Sequence, residues 1–336
     1  MKVCIVGLGA IGGLFAGWLG TRPPAADTLE LSALARGETL AAVRRHGLRL
    51  DTVHGAVGVP LRASDDAADL GVQDLVIVAV KAPALPSVAG AVAAMCGPQT
   101  QVLAAMNGVP WWFFDGLPGP CRDLVLESVD AGGRIRALIP AERVIGCVVH
   151  LSSTVVAPGH VRHVNGQGLI LGCAQGGSTG RLQTVAALLA QAGFAVTLSE
   201  RIQREVWFKL WGNMTMNPVS ALTGATCDRI LDDPLVRNFC SAVMLEAQAV
   251  GAAFGIPIEQ RPEERHAVTR KLGAFKTSML HDLEAGRPLE IDAMLGAVRE
   301  IGGHLGLATP NVDALYGLVR LMAATRGLAA TGAAPA

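Results

Sequence analysis

A short β-branched strand, KVCIV at residues 2–6, runs directly into GLGAIG at 7–12, and apolar residues then recur at helical spacing from Ile11 to Leu19. No other feature narrows the fold as much. Strand, G-x-G-x-x-G and helix in that order describe a chain that leaves a buried parallel strand through a tight turn. It then enters a helix whose free N–H groups and dipole suit an anion. Gly7 makes the turn, Gly9 lets backbone approach a pyrophosphate, and Gly12 allows the helix to lie close on the strand. Leu8, Ala10 and Ile11 complete the loop. The eighteen uncharged residues 3–20 after Lys2 superficially suggest a secretory leader. Six glycines (7, 9, 12, 13, 17 and 20) interrupt them, and the turn motif explains that spacing better.

Pro23, Pro24 and Asp27 mark a loop over 21–28, longer than a fold of this kind needs, and LELSALA at 29–35 reads as the second strand. A site for NAD would place an acid at the end of that strand to grip the ribose diol. Here the end is Ala35-Arg36-Gly37, and the only acid, Glu30, stands at the other end. A cation at Arg36 suits a 2′-phosphate, so NADPH is the expected cofactor. The competing reading of Arg36 is a surface guanidinium at a helix start. Next come a short helix at 40–46, a hairpin in GLRLDTVHGAVGVPLRA and a fully apolar strand, DLVIVAV at 74–80, of the buried parallel type. Helix 84–95 and strand QVLAAM at 101–106 follow. These strands end in Lys81 and Asn107, where open α/β sheets bind ligands. PWWFF at 110–114 is read as a packed core corner rather than a ligand platform.

From 121 to 172 strand-like runs (LVLESV, RVIGCVVHL, HVRHV, GLILG) alternate with glycine and proline turns, as in an antiparallel extension of the sheet. Helix 178–191 and the strand FAVTLS follow, and beyond residue 200 strand signals nearly vanish. Helices are expected at 201–217, 234–254, 262–285, 290–305 and 310–325, so the domain division is placed at 1–200 and 201–325, with a low-complexity tail at 326–336.

EVWFKLWGNMTMNP at 205–218 is apolar on nearly every side of a helix, which marks a buried element. Yet Lys209, Asn213 and Asn217 fall at i, i+4 and i+8, on a stripe roughly 80° wide and about 12 Å long. Aligned polar groups on a buried helix face a partner, a cavity or a ligand, because unpaired burial costs several kcal/mol. The bland alternative is a snorkelling lysine beside two satisfied core amides. A second cluster follows, with Ser278, Met279 and Asp282 in the helix expected at 262–285. Glu290 comes after a Gly-Arg-Pro turn at the start of the next helix, where the dipole stabilises an acid.

Composition sets the outer limits. Of 336 residues, 51% are apolar and 17% charged, which is a globular chain with ample core for two domains. Lys plus Arg and Asp plus Glu are 28 each, with no basic run, so nucleic acid is not expected as a partner. Seven scattered cysteines without a CxxC pair read as reduced thiols in a cytoplasmic protein. No membrane segment is expected, and no metal: His160 and His163 have no third ligand nearby.

The ordered set GLGAIG, Arg36, VKA at 80–82, NGV at 107–109, K-x-x-x-N-x-x-x-N-P at 209–218, S-M-x-x-D then G-R-x-x-E-I-D at 278–292, and T-P-N-x-x-x-L-Y at 309–316 resembles the ketopantoate reductase family, from residue 2 to about 320. The resemblance implies a Rossmann-type doubly wound α/β domain followed by an all-α domain (6-phosphogluconate-dehydrogenase-like), with the site in the cleft. It implies NADPH-dependent reduction of ketopantoate, with Lys209 as general acid and Glu290 supporting the cofactor ribose and catalysis. It also implies that Asn213, Asn217 and Ser278 bind the substrate, that Asn107 and Lys81 lie beside the nicotinamide and the carbonyl, and that Gly7, Gly9, Gly12 and Arg36 hold the cofactor. Lys276 ahead of Ser278 departs from the pattern and bears on which 2-oxo acid is taken. Two other readings fit part of the chain: another hydroxyacid dehydrogenase, whose lysine and asparagine are typically one residue closer, and a non-catalytic NADPH-binding protein. An apolar helical domain leaves a homodimer open.

Overall fold

The computed structural model describes residues 1–21 and 29–329. The loop expected at 21–28, from residue 22 on, and residues 330–336 of the expected tail lie outside the described residues. The chain divides into two compact units, one of Met1–Met106 and Arg134–Glu205, the other of Asn107–Gly133 with everything from Val206 on.

The strands of the first unit are β1 (Lys2–Val6), β2 (Glu30–Leu34), β3 (Leu48–Thr52), β4 (Gly55–Val59), β5 (Arg62–Ser64), β6 (Gln73–Val78), β7 (Cys96–Ala104), β8 (Val144–Ala157), β9 (His160–Cys173) and β10 (Ala195–Leu198). Among the described residues they form one sheet in the order β4-β3-β9-β8-β7-β6-β1-β2-β5, with β10 beside β9. From β5 to β8 every neighbouring pair is parallel. The chain leaves β1 first toward β2 and later returns to β6 on the other side. The loop after β1 therefore lies at the point where strand order reverses, which is where open α/β sheets bind ligands. β8 and β9 are the long antiparallel pair expected beyond residue 121, and they extend the sheet to the β3–β4 hairpin.

The glycine-rich helix Ala10–Thr21 lies almost directly on the sheet. A Cβ on Gly13 would stand 2.6 Å from Val161 on β9, and one on Gly17 would stand 2.7 Å from Leu50 on β3. The turn motif explains glycines 7, 9 and 12, whereas 13 and 17 are explained by this close packing of helix on strand.

The second unit is helical, and several expectations about it change. LVLESV at 124–129 is not a strand. Instead the Glu300 carboxylate accepts the N–H groups of Glu127 (2.7 Å) and Ser128 (2.9 Å), so these amides are satisfied without a neighbouring strand. The helix expected over 262–285 is two helices, Pro262–Arg270 and Ser278–Glu284. Gly273 at φ +65° breaks the first, and the Thr277 hydroxyl restarts the second by accepting the Leu280 N–H. The helix expected to end at 217 runs from Ile202 to Thr223 with Pro218 inside it.

PWWFF is a core corner, as expected. Trp112, Phe113 and Phe114 are buried, and Phe113, Phe114 and Trp207 surround Phe254 with ring centroids 4.8–5.9 Å apart in edge-on geometry. This packing explains why 107–133 groups with the helices although it precedes β8 in sequence. No described helix is long and apolar enough to cross a membrane, and no metal-ligand cluster occurs among the described residues.

Candidate active site

In the first unit the start of the glycine loop is fixed by two bonds to neighbouring strand ends. Gly7, at φ +91°, donates its N–H to the Leu34 carbonyl at the end of β2 (3.1 Å), and Ala79 past the end of β6 donates to Val6 (3.0 Å). These bonds bring the ends of β2, β1 and β6 into line. A Cβ on Gly12 would lie 1.9 Å from the Gly7 oxygen, so only glycine lets the helix start this close to the turn. Gly9 is the opposite case: it is exposed, and a Cβ there would meet nothing within 4 Å. Open space over a bare backbone at a helix N-terminus fits a pyrophosphate, so the loop has the shape a dinucleotide needs. Leu8 is buried, whereas Ala10 and Ile11, the first residues of the helix, are half-buried.

Arg36 stands two residues past β2, exposed, as N-cap of helix Gly37–His46, and no side-chain bond ties it to that helix. Glu30 pairs in register with Lys2 at the far end of the two strands, away from the loop. Lys81 follows β6, half-buried, at the head of a short 3-10 turn, Ala82–Ala84.

In the second unit the helix Ile202–Thr223 is buried at Trp207, Leu210, Trp211, Met214 and Met216, with Asn217 also buried and Lys209 and Asn213 half-buried. Lys209 Nζ donates to Asn107 Oδ1 at 2.8 Å. Asn217 Nδ2 donates to Met294 Sδ at 3.9 Å. The Asn107–Val109 turn docks on the same segment as Asn217: Val109 N–H donates to the Ala293 carbonyl at 2.7 Å. Gly108, at φ +80°, leaves no room for a side chain, since a Cβ would stand 2.5 Å from that carbonyl oxygen. Glu290, 8% exposed, lies three residues before Ala293. It precedes the helix instead of opening it, because residues 292–296 form a π-helical turn after Ile291. Asn107, Lys209, Asn217 and the 290–294 segment thus come together inside one unit, far apart in sequence though they are.

Ser278 departs from its expected setting. It opens helix Ser278–Glu284 and is exposed, whereas its neighbour Thr277 is buried as the N-cap. The cation at Lys276 is ion-paired with Glu284 at 2.6 Å, both of them exposed. Asp282 in the same helix is buried and accepts from Arg287 at 3.1 Å. Two residues of the site carried no role in the sequence reading: Tyr316 donates its hydroxyl to Asp292 Oδ1 at 2.7 Å. Burial and that bond to Asp292 push the Tyr316 phenol up to about 12. The available signal was thin. It consisted of the single tyrosine of the chain and an acid two residues after Glu290.

Comparison with known proteins agrees along the chain. Residues 3–111 match the family model "Ketopantoate reductase PanE/ApbA", and residues 201–323 match its C-terminal counterpart. A 2-dehydropantoate 2-reductase of Mesorhizobium japonicum is 42% identical over 97% of this chain and 99% of its own. A solved chain from Ralstonia solanacearum MolK2 superposes with TM-score 0.92 at 58% identity over 97% of this chain and 99% of that one. A PanE/ApbA family ketopantoate reductase from Ralstonia eutropha JMP134 gives TM-score 0.82 at 27% identity, covering 97% and 100%. With strand, glycine loop and lysine helix each in their matched segments, the chain belongs to the ketopantoate reductase family of NADPH-dependent oxidoreductases.

Proposed function

We propose that this protein reduces a 2-oxo acid, ketopantoate foremost, to the 2-hydroxy acid, with Lys209 as the general acid. The observation that carries the reading is Lys209 Nζ held at 2.8 Å by Asn107 Oδ1 on a largely buried helix. A neutral carboxamide accepts from the ammonium and orients it without taking its proton. NADPH, when bound, supplies the hydride. As the carbonyl carbon accepts it, negative charge grows on the oxygen, and Lys209 stabilises that charge and hands over a proton to complete the alcohol. The lysine then recovers its proton from solvent.

Asn213, Asn217 and Ser278 would orient the acid through neutral donors and acceptors. Glu290, buried three residues before the Ala293 carbonyl, would hold the ribose and balance the lysine charge. Gly7, Leu8, Gly9, Ala10, Ile11 and Gly12 would receive the pyrophosphate, Arg36 the 2′-phosphate, and Lys81 and Asn107 the nicotinamide end. In this reading residues 1–200 bind the cofactor and 201–325 carry the acid and the substrate groups. The test is NADPH consumption against a panel of 2-oxo acids. Ketopantoate should show the highest kcat/KM, and a panel with no turnover would overturn the proposal.

A further inference from the structure

Residues Asp292–Gly296 make a π-helical turn, a form that appears mostly as single turns and frequently at functional sites. In an α-helix the Ala293 carbonyl would take the N–H of Ala297. Here Ala297 donates to Asp292, five residues back, and the Ala293 oxygen accepts Val109 instead. The irregular turn is thus what supplies the acceptor on which the Asn107 loop docks. Its next residue, Met294, meets Asn217. Ahead of it lies Glu290.

The turn is fastened from the far side. Tyr316, on helix Pro310–Thr325, donates to Asp292 Oδ1 at 2.7 Å, and its ring closes over Gly296, where an added Cβ would stand 3.5 Å from Tyr316 Cε2 and 3.4 Å from Ser128 Cβ. We propose that Tyr316, acting through Asp292, is a positioning residue of the reductase site: it locks the π-turn that holds Asn107 against Lys209 and sets the orientation of Glu290. Relaxing the turn to regular α-helix shifts the register by one residue, which rotates what precedes it by about 100°. It also returns the Ala293 carbonyl to Ala297 and releases Val109. With a phenol pKa of about 12, Tyr316 keeps its proton over the working range, so it stays the donor.

The proposal rests on the reductase reading, so one arm of the test does not need turnover. Tyr316→Phe removes only the hydroxyl. It should lower kcat roughly tenfold or more, the effect of losing a hydrogen bond to a charged group, with a smaller loss of NADPH affinity because the glycine loop and Arg36 are untouched. Asp292→Asn keeps an acceptor for the phenol and should restore most of kcat, whereas Asp292→Ala should match Tyr316→Phe. The double variant Tyr316→Phe/Asp292→Ala should be no worse than either single change. Independently of activity, hydrogen exchange at the Val109 amide should speed up in Tyr316→Phe while the amides of β1 stay protected. A folded Tyr316→Phe protein with wild-type kcat and a protected Val109 amide would overturn the proposal. So would Asp292→Asn behaving like Asp292→Ala. If Tyr316→Phe fails to fold, the Asp292 pair decides alone. Accelerated Val109 exchange in a protein that turns over no 2-oxo acid would refute the reductase reading and leave the positioning role standing.

Discussion

In the first unit, the residues that would hold a dinucleotide are neighbours in sequence: Gly7 to Gly12 lie on one turn, with Arg36 brought in by a single strand pairing. In the second unit, Lys209 meets Asn107, Asn217 meets Met294 and Tyr316 meets Asp292, pairs drawn from four separate stretches that come together only through packing. The glycine loop works by leaving atoms out, so that backbone can approach a ligand. The lysine site works by putting side chains in, each needing its own support. A motif of omissions is local and survives much change around it. A constellation of side chains depends on every segment that carries it.

The largest expected effect breaks the second site alone. Lys209→Ala should lower kcat by ~10²–10⁴-fold, the range for a lost general acid, with NADPH affinity nearly unchanged in a fluorescence titration. If a folded Lys209→Ala protein keeps most of its kcat, the helix is ordinary core and the proposed mechanism fails.

The glycine loop can be dissected more finely, because two of its glycines make opposite demands. Gly12→Ala puts a methyl group 1.9 Å from the Gly7 oxygen and should destabilise the unit by ~1–3 kcal/mol, read as a fall in Tm. Gly9→Ala meets open space, so its Tm should match wild type while its KM for NADPH rises by about tenfold or more. Equal Tm losses for the two would contradict the division of roles within the loop.

Arg36→Ala removes one charge-assisted contact worth ~1.5–3 kcal/mol, so KM for NADPH should rise roughly tenfold or more while KM for NADH hardly moves. Loss of both cofactors alike would detach Arg36 from the 2′-phosphate.

The smallest effect concerns stability rather than turnover. His266 is buried and shares a 2.9 Å hydrogen bond with Ser241, and burial holds its pKa below the ordinary 6.5, with Arg237 and Arg270 lowering it further and Glu263 opposing. The unfolded chain therefore binds the proton more readily. Stability should be complete above about pH 6.5 and decline as pH falls below it toward the lowered folded value. Thermal melts across that window should show the slope, and His266→Gln should flatten it. A slope unchanged in that variant would assign the acid sensitivity to other groups.

How far each site could be seen in the sequence follows the same contrast. GLGAIG was legible because strand, turn and helix are consecutive, and their backbone demands select glycine directly. The lysine stripe was legible because helical periodicity aligns Lys209 with Asn213 and Asn217 on an apolar element. What lies across from the stripe was not legible. Tertiary packing placed the Asn107 turn with the helices, broke the helix expected at 262–285, set LVLESV under Glu300, and moved Glu290 off a helix start.

The sequence alone determined most of the order of elements, the class of each unit and the residues able to carry the chemistry, since propensity, periodicity and turn geometry act between near neighbours. The tertiary structure decided which of those residues meet. The π-turn at Asp292–Gly296 shows why: it is met by the Tyr316 hydroxyl, the Val109 N–H and the bare backbone of Gly108, none of which is near it in sequence.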